Sequence, residues 1–234
     1  MNKKKIAICI SGGIKFHQKG LATIEKISSM HDVKVFIHTW NVKDISSYDK
    51  NSWHGSLANH GNVSKISDVL QEFPIERIVI DDFETKKIHF ENLLKECSPN
   101  LIFRDRKDIG IISMFYSIWK SHQVKNEVVA ETGETFDCVI RMRFDSDLKS
   151  LENFNVDNLE NGNVHIPVGQ DWNGLNDQFA YGTSDSMNIY SSLILNFRSF
   201  RNITYNPEVL LKHYLRAAKI NVIRQNITVN INNT

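Results

Sequence analysis

Short β-branched runs that end in polar residues recur along this chain, and segments with helical signals separate them. Lys5-Ile6-Ala7-Ile8-Cys9-Ile10-Ser11 is the first run and leads into Gly12-Gly13. Val33-Lys34-Val35-Phe36-Ile37-His38 and Arg77-Ile78-Val79-Ile80-Asp81 follow, and Cys138-Val139-Ile140-Arg141-Met142-Arg143-Phe144 is the fourth. Helices are expected over residues 20–30, over 64–73 before Pro74, and over 108–131. In the last, Ile111, Phe115, Ile118, Trp119, Val124 and Val128 fall near a 3.6-residue period and Gly133 suits a stop. Alternation of this kind argues for an α/β chain. Residues 84–106 are ambiguous, and the polar stretch 39–63 is long for a structureless segment without function.

Further on, Val164-His165-Ile166-Pro167 and Asn176 to Gly182 are strand candidates. Thr183 or Ser184 suits the cap of a helix carrying Met187, Tyr190, Leu193, Ile194 and Phe197. Asn206-Pro207-Glu208 starts another, with Asn as cap, Pro in the first turn and Glu at the positive end. No repeat, interdomain linker or low-complexity segment interrupts the pattern. One domain is expected over residues 1–234, and that length supplies a real core.

Charge narrows the function. Lys plus Arg is 28 and Asp plus Glu is 27, a net charge of +1. No global basic excess exists to drive nucleic-acid or acidic-membrane binding, so any cationic site must be local. Cys9, Cys97 and Cys138 are too widely spaced for a zinc pattern and too few for a disulfide framework, which suits a reducing compartment. The start of the chain is too short in apolar residues for a signal peptide, and Ile109 to Trp119 is too short to span a bilayer. A cytoplasmic protein is expected, meeting the inner membrane face only through its substrate. The four sequons, at Asn62, Asn202, Asn226 and Asn232, are then coincidence in an Asn-rich chain.

The sharpest chemical feature is Arg141-Met142-Arg143-Phe144-Asp145-Ser146-Asp147. On a strand, Arg141, Arg143 and Asp145 share one face, opposite Ile140, Met142 and Phe144. Asp147 joins them if the extended trace continues. Burying such a stripe is costly unless charges pair or a ligand satisfies them. Two carboxylates at i and i+2 offer hard oxygens to Mg²⁺ or Mn²⁺, which also bind a diphosphate. The plainer reading is a strand end whose surface charges pair with one another.

Three weaker features follow strand ends. Ser11-Gly12-Gly13, with Lys15 behind, lies where ligands bind in α/β sheets, although it is no P-loop and a tight turn explains it as well. His38 and Thr39 are positioned to touch a nucleotide and Trp40 to stack, against a capped strand with Trp40 in the core. Asn176-Asp177-Gln178 mixes a carboxylate with amides able to read sugar hydroxyls, and Asp177 is the candidate base. Glu208 is a second carboxylate candidate that helix capping also explains. His213 reads as an ordinary helical residue and His165 as too isolated for a metal ligand.

Taken together, these pieces resemble GT-A-type, nucleotide-sugar-dependent glycosyltransferases with an Asp-x-Asp motif. More narrowly, they resemble the small bacterial and viral ones associated with capsule or lipopolysaccharide glycans. The matching segments are residues 7–12, 35–40, Ser113-Met114-Phe115-Tyr116, residues 138–145 and Asn176-Asp177-Gln178-Phe179, in the expected order. The resemblance implies a single-domain Rossmann-like GT-A fold, with a mostly parallel central sheet flanked by helices. It implies Mn²⁺ (or Mg²⁺) at Asp145 and Asp147, and a UDP- or GDP-sugar donor near Ser11, Gly12, Gly13, Lys15, His38 and Thr39. Arg141, Arg143 and Asp145 would be further donor contacts, and a glycan hydroxyl the acceptor. No carboxyl-terminal His motif like that of some retaining members is found, so stereochemistry and the third metal ligand stay open. Two rival readings are a non-catalytic nucleotide- or sugar-binding module and an aspartate-nucleophile phosphotransferase. In the latter the motif normally comes early, followed by Thr or Val, whereas Leu148-Lys149 follows here.

Overall fold

A computed structural model describes residues 3–14, 16–41, 71–97, 107–200 and 206–231 of the chain. Lys15, most of the polar stretch and most of the expected 64–73 helix lie outside the described residues. The structure is α/β with a mostly parallel central sheet flanked by helices, as expected.

The first half alternates as its sequence suggests. β1 (Lys5–Ser11), α1 (His17–Met30), β2 (Asp32–Asn41), β3 (Ile75–Asp82), α2 (Phe83–Cys97), α3 (Lys107–Thr132) and β4 (Cys138–Met142) follow in order. β1 pairs in parallel with both β2 and β4, and β2 pairs in parallel with β3. The second half adds β5 (Asp147–Lys149), β6 (Asn163–Pro167), β7 (Phe179–Gly182), α4 (Ser184–Ser191), a 3₁₀ segment (Ser192–Phe200), α5 (Pro207–Ala217), β8 (Asn221–Gln225) and β9 (Thr228–Asn230). Among the described residues the main sheet has seven strands in the order β3-β2-β1-β4-β7-β6-β8. β7 runs antiparallel to β4 and β6, and β8 runs parallel to β6.

Both faces of the sheet are buried at its centre, which explains why β1 reads as an almost unbroken apolar run. Ile6, Ile8 and Ile10 join Ile140, Met142 and Phe144 on the side of α1. Ala7, Cys9, Phe36 and Val139 face the opposite core with α2, α3, α4 and α5. α3 is buried more widely than its apolar period suggests. Ser113, Ser117, Ser121, His122 and Lys125 are buried along with Ile112, Phe115 and Ile118. Spaced four apart, the three serines form one stripe along the helix.

Both helix starts in the second half carry the caps their sequences suggest. Thr183 accepts the Ser186 N–H at 3.3 Å, and Asn206 accepts the Val209 N–H at 2.8 Å. The three cysteines are buried, and burial pushes the Cys9 thiol up to about 12. Among the described residues, no helix is long and apolar enough to cross a membrane.

Candidate active site

The carboxyl ends of β1, β2 and β3 are joined by a buried polar brace. His38 Nε2 lies 3.2 Å from the Asp81 carboxylate, and its Nδ1 lies 2.7 Å from Ser117 Oγ. Ser117 Oγ accepts the Gly12 N–H at 2.9 Å, and Tyr116 donates to Asp81 at 2.8 Å. These partners assign the tautomer: Nε2–H donates to Asp81 and Nδ1 accepts from Ser117. Burial pushes His38 below its ordinary value, and the hydrogen bond from His38 holds Asp81 down to about 2. Serine, histidine and aspartate stand in a line; Ser117 and His38 are wholly buried, and the line braces the turn after β1.

The turn after β1 is thereby fixed. Thr39 donates to the Gly12 carbonyl at 2.9 Å, and the Gly12 N–H also approaches the His38 carbonyl at 3.3 Å. Ser11 is 4% exposed, while Gly12 and Gly13 are half-buried. Trp40 lies in the core, stacked on Tyr116 and edge-on to Phe83 and Phe90. Of the strand-end readings, the packed one describes Trp40.

β4 ends at Met142, and the extended trace stops there. Ser146 accepts the Arg143 N–H at 3.1 Å and returns its own N–H to the Arg143 carbonyl at 3.3 Å, closing a turn. α1 fits tightly against that turn: Gly20 donates to the Phe144 carbonyl at 3.0 Å, and a Cβ at Gly20 would collide with it. Asp147 therefore does not continue the Arg141–Arg143–Asp145 stripe. It opens β5, which pairs antiparallel with β9.

The charges of the motif divide into three. Arg143 holds both oxygens of Asp145 in a two-pronged pair at 2.8 Å each. Asp147, 20% exposed, pairs with Lys149 at 2.8 Å. Arg141 is wholly buried and donates to the main-chain carbonyl of Asp177, while its Nε has no partner among the described residues. Desolvation pushes Arg141 below its ordinary value. The buried Tyr190 hydroxyl and His122 Nε2 also lack partners among the described residues. Asp145 and Asp147 are hard oxygen donors of the kind Mn²⁺ or Mg²⁺ takes, and a cation there would replace Arg143 and Lys149 as their counter-charge. Among the described residues, no group of three or more His, Cys, Asp or Glu is placed to hold a metal.

Asp177 is the candidate base. It is 7% exposed, and no described residue hydrogen-bonds its side chain. Its flanks are fixed: Asn176 donates to the Gly169 carbonyl at 3.0 Å and accepts the Gln178 N–H at 2.9 Å. Glu208 stands nearby. Leu175 donates to the Glu208 carbonyl at 3.0 Å, and Gly174 lies so close to the main chain of Glu208 and Val209 that a Cβ has no room. Burial, reinforced by the charge of Asp177, raises the Glu208 carboxyl to about 7. The second carboxylate candidate thus joins the first, 31 positions away in sequence. Neither the Asp81 brace nor this meeting has a local motif; the only sequence sign of the brace is that Asp81 ends a strand.

The family model for a domain of unknown function, DUF7796, matches residues 1–232, and the chain belongs to that family. No curated protein matches it. Among solved structures it is similar to the apo form of mouse xyloside xylosyltransferase 1. That likeness has 10% identity and a TM-score of 0.43, covering 96% of this chain and 85% of that one.

Proposed function

We propose that this chain transfers a sugar from a nucleotide diphosphate sugar to a glycan hydroxyl, with Asp177 as the base. The observation that carries the reading is the Asp177 carboxylate itself: almost buried, unpaired, and anchored from behind by Arg141. A carboxylate without a protein partner is free to accept from the hydroxyl of a bound ligand.

In this reading the acceptor hydroxyl attacks the anomeric carbon as its proton passes to Asp177. The bond from that carbon to the diphosphate oxygen breaks, and the electron pair leaves with the nucleotide. Such a base contributes about 10²–10⁴-fold. The donor lies over the ends of β1, β2 and β4, near Ser11, Gly12, Gly13, Lys15, His38 and Thr39. The brace through His38, Ser117 and Asp81 keeps the Gly12 turn in place for it. Arg141 positions Asp177, and Arg143 with Asp145 offers charge to the donor. Asp147 and Asp145 would hold Mn²⁺ or Mg²⁺, which supplies a Lewis acid for the departing diphosphate.

The ion pairs on Asp145 and Asp147 favour a second reading, a module that binds a nucleotide sugar without turning it over. One experiment separates the two. Nucleotide sugars with UDP and GDP are screened by thermal shift, with and without Mn²⁺, and each that binds is tested for release of nucleotide diphosphate. A donor that stabilises the fold and is consumed in the presence of glycan supports transfer. Stabilisation without turnover supports the module, and no stabilisation by any donor removes both.

A further inference from the structure

Trp172 is 68% exposed although the loop that carries it is firmly held. The Asp171 carboxylate accepts from Arg224 at 2.6 Å and from the Asn176 N–H at 3.0 Å. Its carbonyl accepts the Gly174 N–H at 2.6 Å, and Asn206 donates to the Trp172 carbonyl at 3.4 Å. Gln170, Trp172 and Asn173 all take left-handed backbone, with φ of 54°, 43° and 69°. That conformation is rare for a bulky side chain and persists only where surrounding contacts impose it. The fold therefore spends contacts on presenting an indole to solvent that the core does not use.

The surroundings of the loop say what the indole meets: Asn206, which holds the Trp172 carbonyl, caps the helix that carries Glu208. Gly174, two positions on, abuts the main chain of Glu208, and the unpaired carboxylate of Asp177 follows on the same segment. Two carboxylates repel a diphosphate, so the nucleotide half of a donor does not belong here. A neutral sugar does: one face of a pyranose ring is a sheet of C–H groups that covers an aromatic face, while its hydroxyls donate to carboxylates and amide oxygens. We infer that Trp172 is the stacking platform for a pyranose ring of the acceptor, setting one of its hydroxyls towards Asp177 and Glu208. This deepens the transferase reading and rests on it for the word acceptor, but not for the sugar site.

The test uses the full chain and methyl glycosides of glucose, galactose, mannose and N-acetylglucosamine as probes, followed by tryptophan emission and by NMR of the glycoside C–H signals. At least one glycoside should bind saturably. Binding should fall about tenfold or more in Trp172→Ala and be largely kept in Trp172→Phe, with melting temperatures and donor binding unchanged in both. No response to any glycoside, or equal binding by Trp172→Ala, overturns the site. Saturable, Trp172-dependent binding in a protein that turns over no nucleotide sugar keeps the platform and removes the transferase. Turnover with an acceptor KM indifferent to Trp172→Ala does the reverse.

Discussion

The Arg141 guanidinium, wholly buried at the end of β4, donates to the main-chain carbonyl of Asp177, 36 residues further along. The contact ties the strand that carries the charged motif to the segment that carries the unpaired carboxylate. Arg141→Ala should leave both a cavity and an unpaired carbonyl, and cost about 2–5 kcal/mol. Arg141→Met fills most of the volume and removes a buried charge but leaves the same carbonyl unpaired, so it should cost about 1–3 kcal/mol and stay folded. Transfer should nevertheless fall at least tenfold, by the ~1.4 kcal/mol of lost positioning that such a factor represents. Urea unfolding and donor turnover, measured on both variants, check this. Full turnover by the Met variant would show that Arg141 does not position Asp177.

How much of this was legible in the sequence depends on whether the signal is local. β1 was readable because both sheet faces are buried at the centre and its residues are apolar throughout. The Asn206 and Thr183 caps were readable because capping uses neighbours in sequence. α3 was found, but Ile111 and Trp119, counted in its apolar period, are only half-buried, while Ser113, Ser117 and Ser121 are buried. A helix covered on several sides does not show one apolar stripe. β8 and β9 were missed because short polar strands such as Thr228–Asn230 gain their pairing from distant segments. The path of Asp147 was missed for the same reason: Ser146 closes a turn that two-residue periodicity does not anticipate. The meeting of Asp177 with Glu208 is tertiary, and no spacing encodes it.

Metal dependence is tested at Asp147, whose carboxylate is 20% exposed and bonded to Lys149 alone among the described residues. A partly exposed ion pair is worth little, so Asp147→Asn should change stability by less than about 1 kcal/mol. In the wild type, nucleotide diphosphate binding should strengthen with Mn²⁺ and weaken with chelator. Asp147→Asn should lose that response and most transfer. Calorimetric titration of UDP and GDP, with Mn²⁺ present and absent, reads both. A wild-type protein indifferent to Mn²⁺ and Mg²⁺ would remove the metal from Asp145 and Asp147.

Lys125 is a buried ammonium with only neutral partners, Ser184 Oγ at 2.8 Å and Asn188 Oδ1 at 3.3 Å. Desolvation pushes it below its ordinary value. Ser184 and Asn188 are themselves half-buried and can turn to water when it is gone. A methionine of similar length should therefore leave stability unchanged or raise it by about 1 kcal/mol, as replacement of buried charge by apolar packing often does. Thermal unfolding of Lys125→Met gives the answer. A loss of several degrees would mean that the ammonium is needed at the start of α4.

The carboxylate pair gives a pH signature. Glu208 is raised from 4.5 to about 7 in the folded chain, so folding favours its protonated form. The stability it contributes is fully present below about 4.5 and is lost as pH rises through about 7. Glu208→Gln should flatten stability across that window. The same ionisation acts on turnover in the opposite sense, because an ionised Glu208 accepts hydrogen bonds from sugar hydroxyls at both oxygens, whereas the protonated acid carries a proton on one of them. Wild-type turnover should therefore climb as pH rises through about 7, and Glu208→Gln should lose that limb while keeping much of its activity. Asp177→Asn should bind donor nearly as well as wild type while transfer falls about 10²–10⁴-fold at every pH. If Glu208→Gln shows that collapse and Asp177→Asn only a shifted profile, the two exchange roles and Glu208 is the base. If neither substitution changes turnover, no carboxylate of this pair takes the proton.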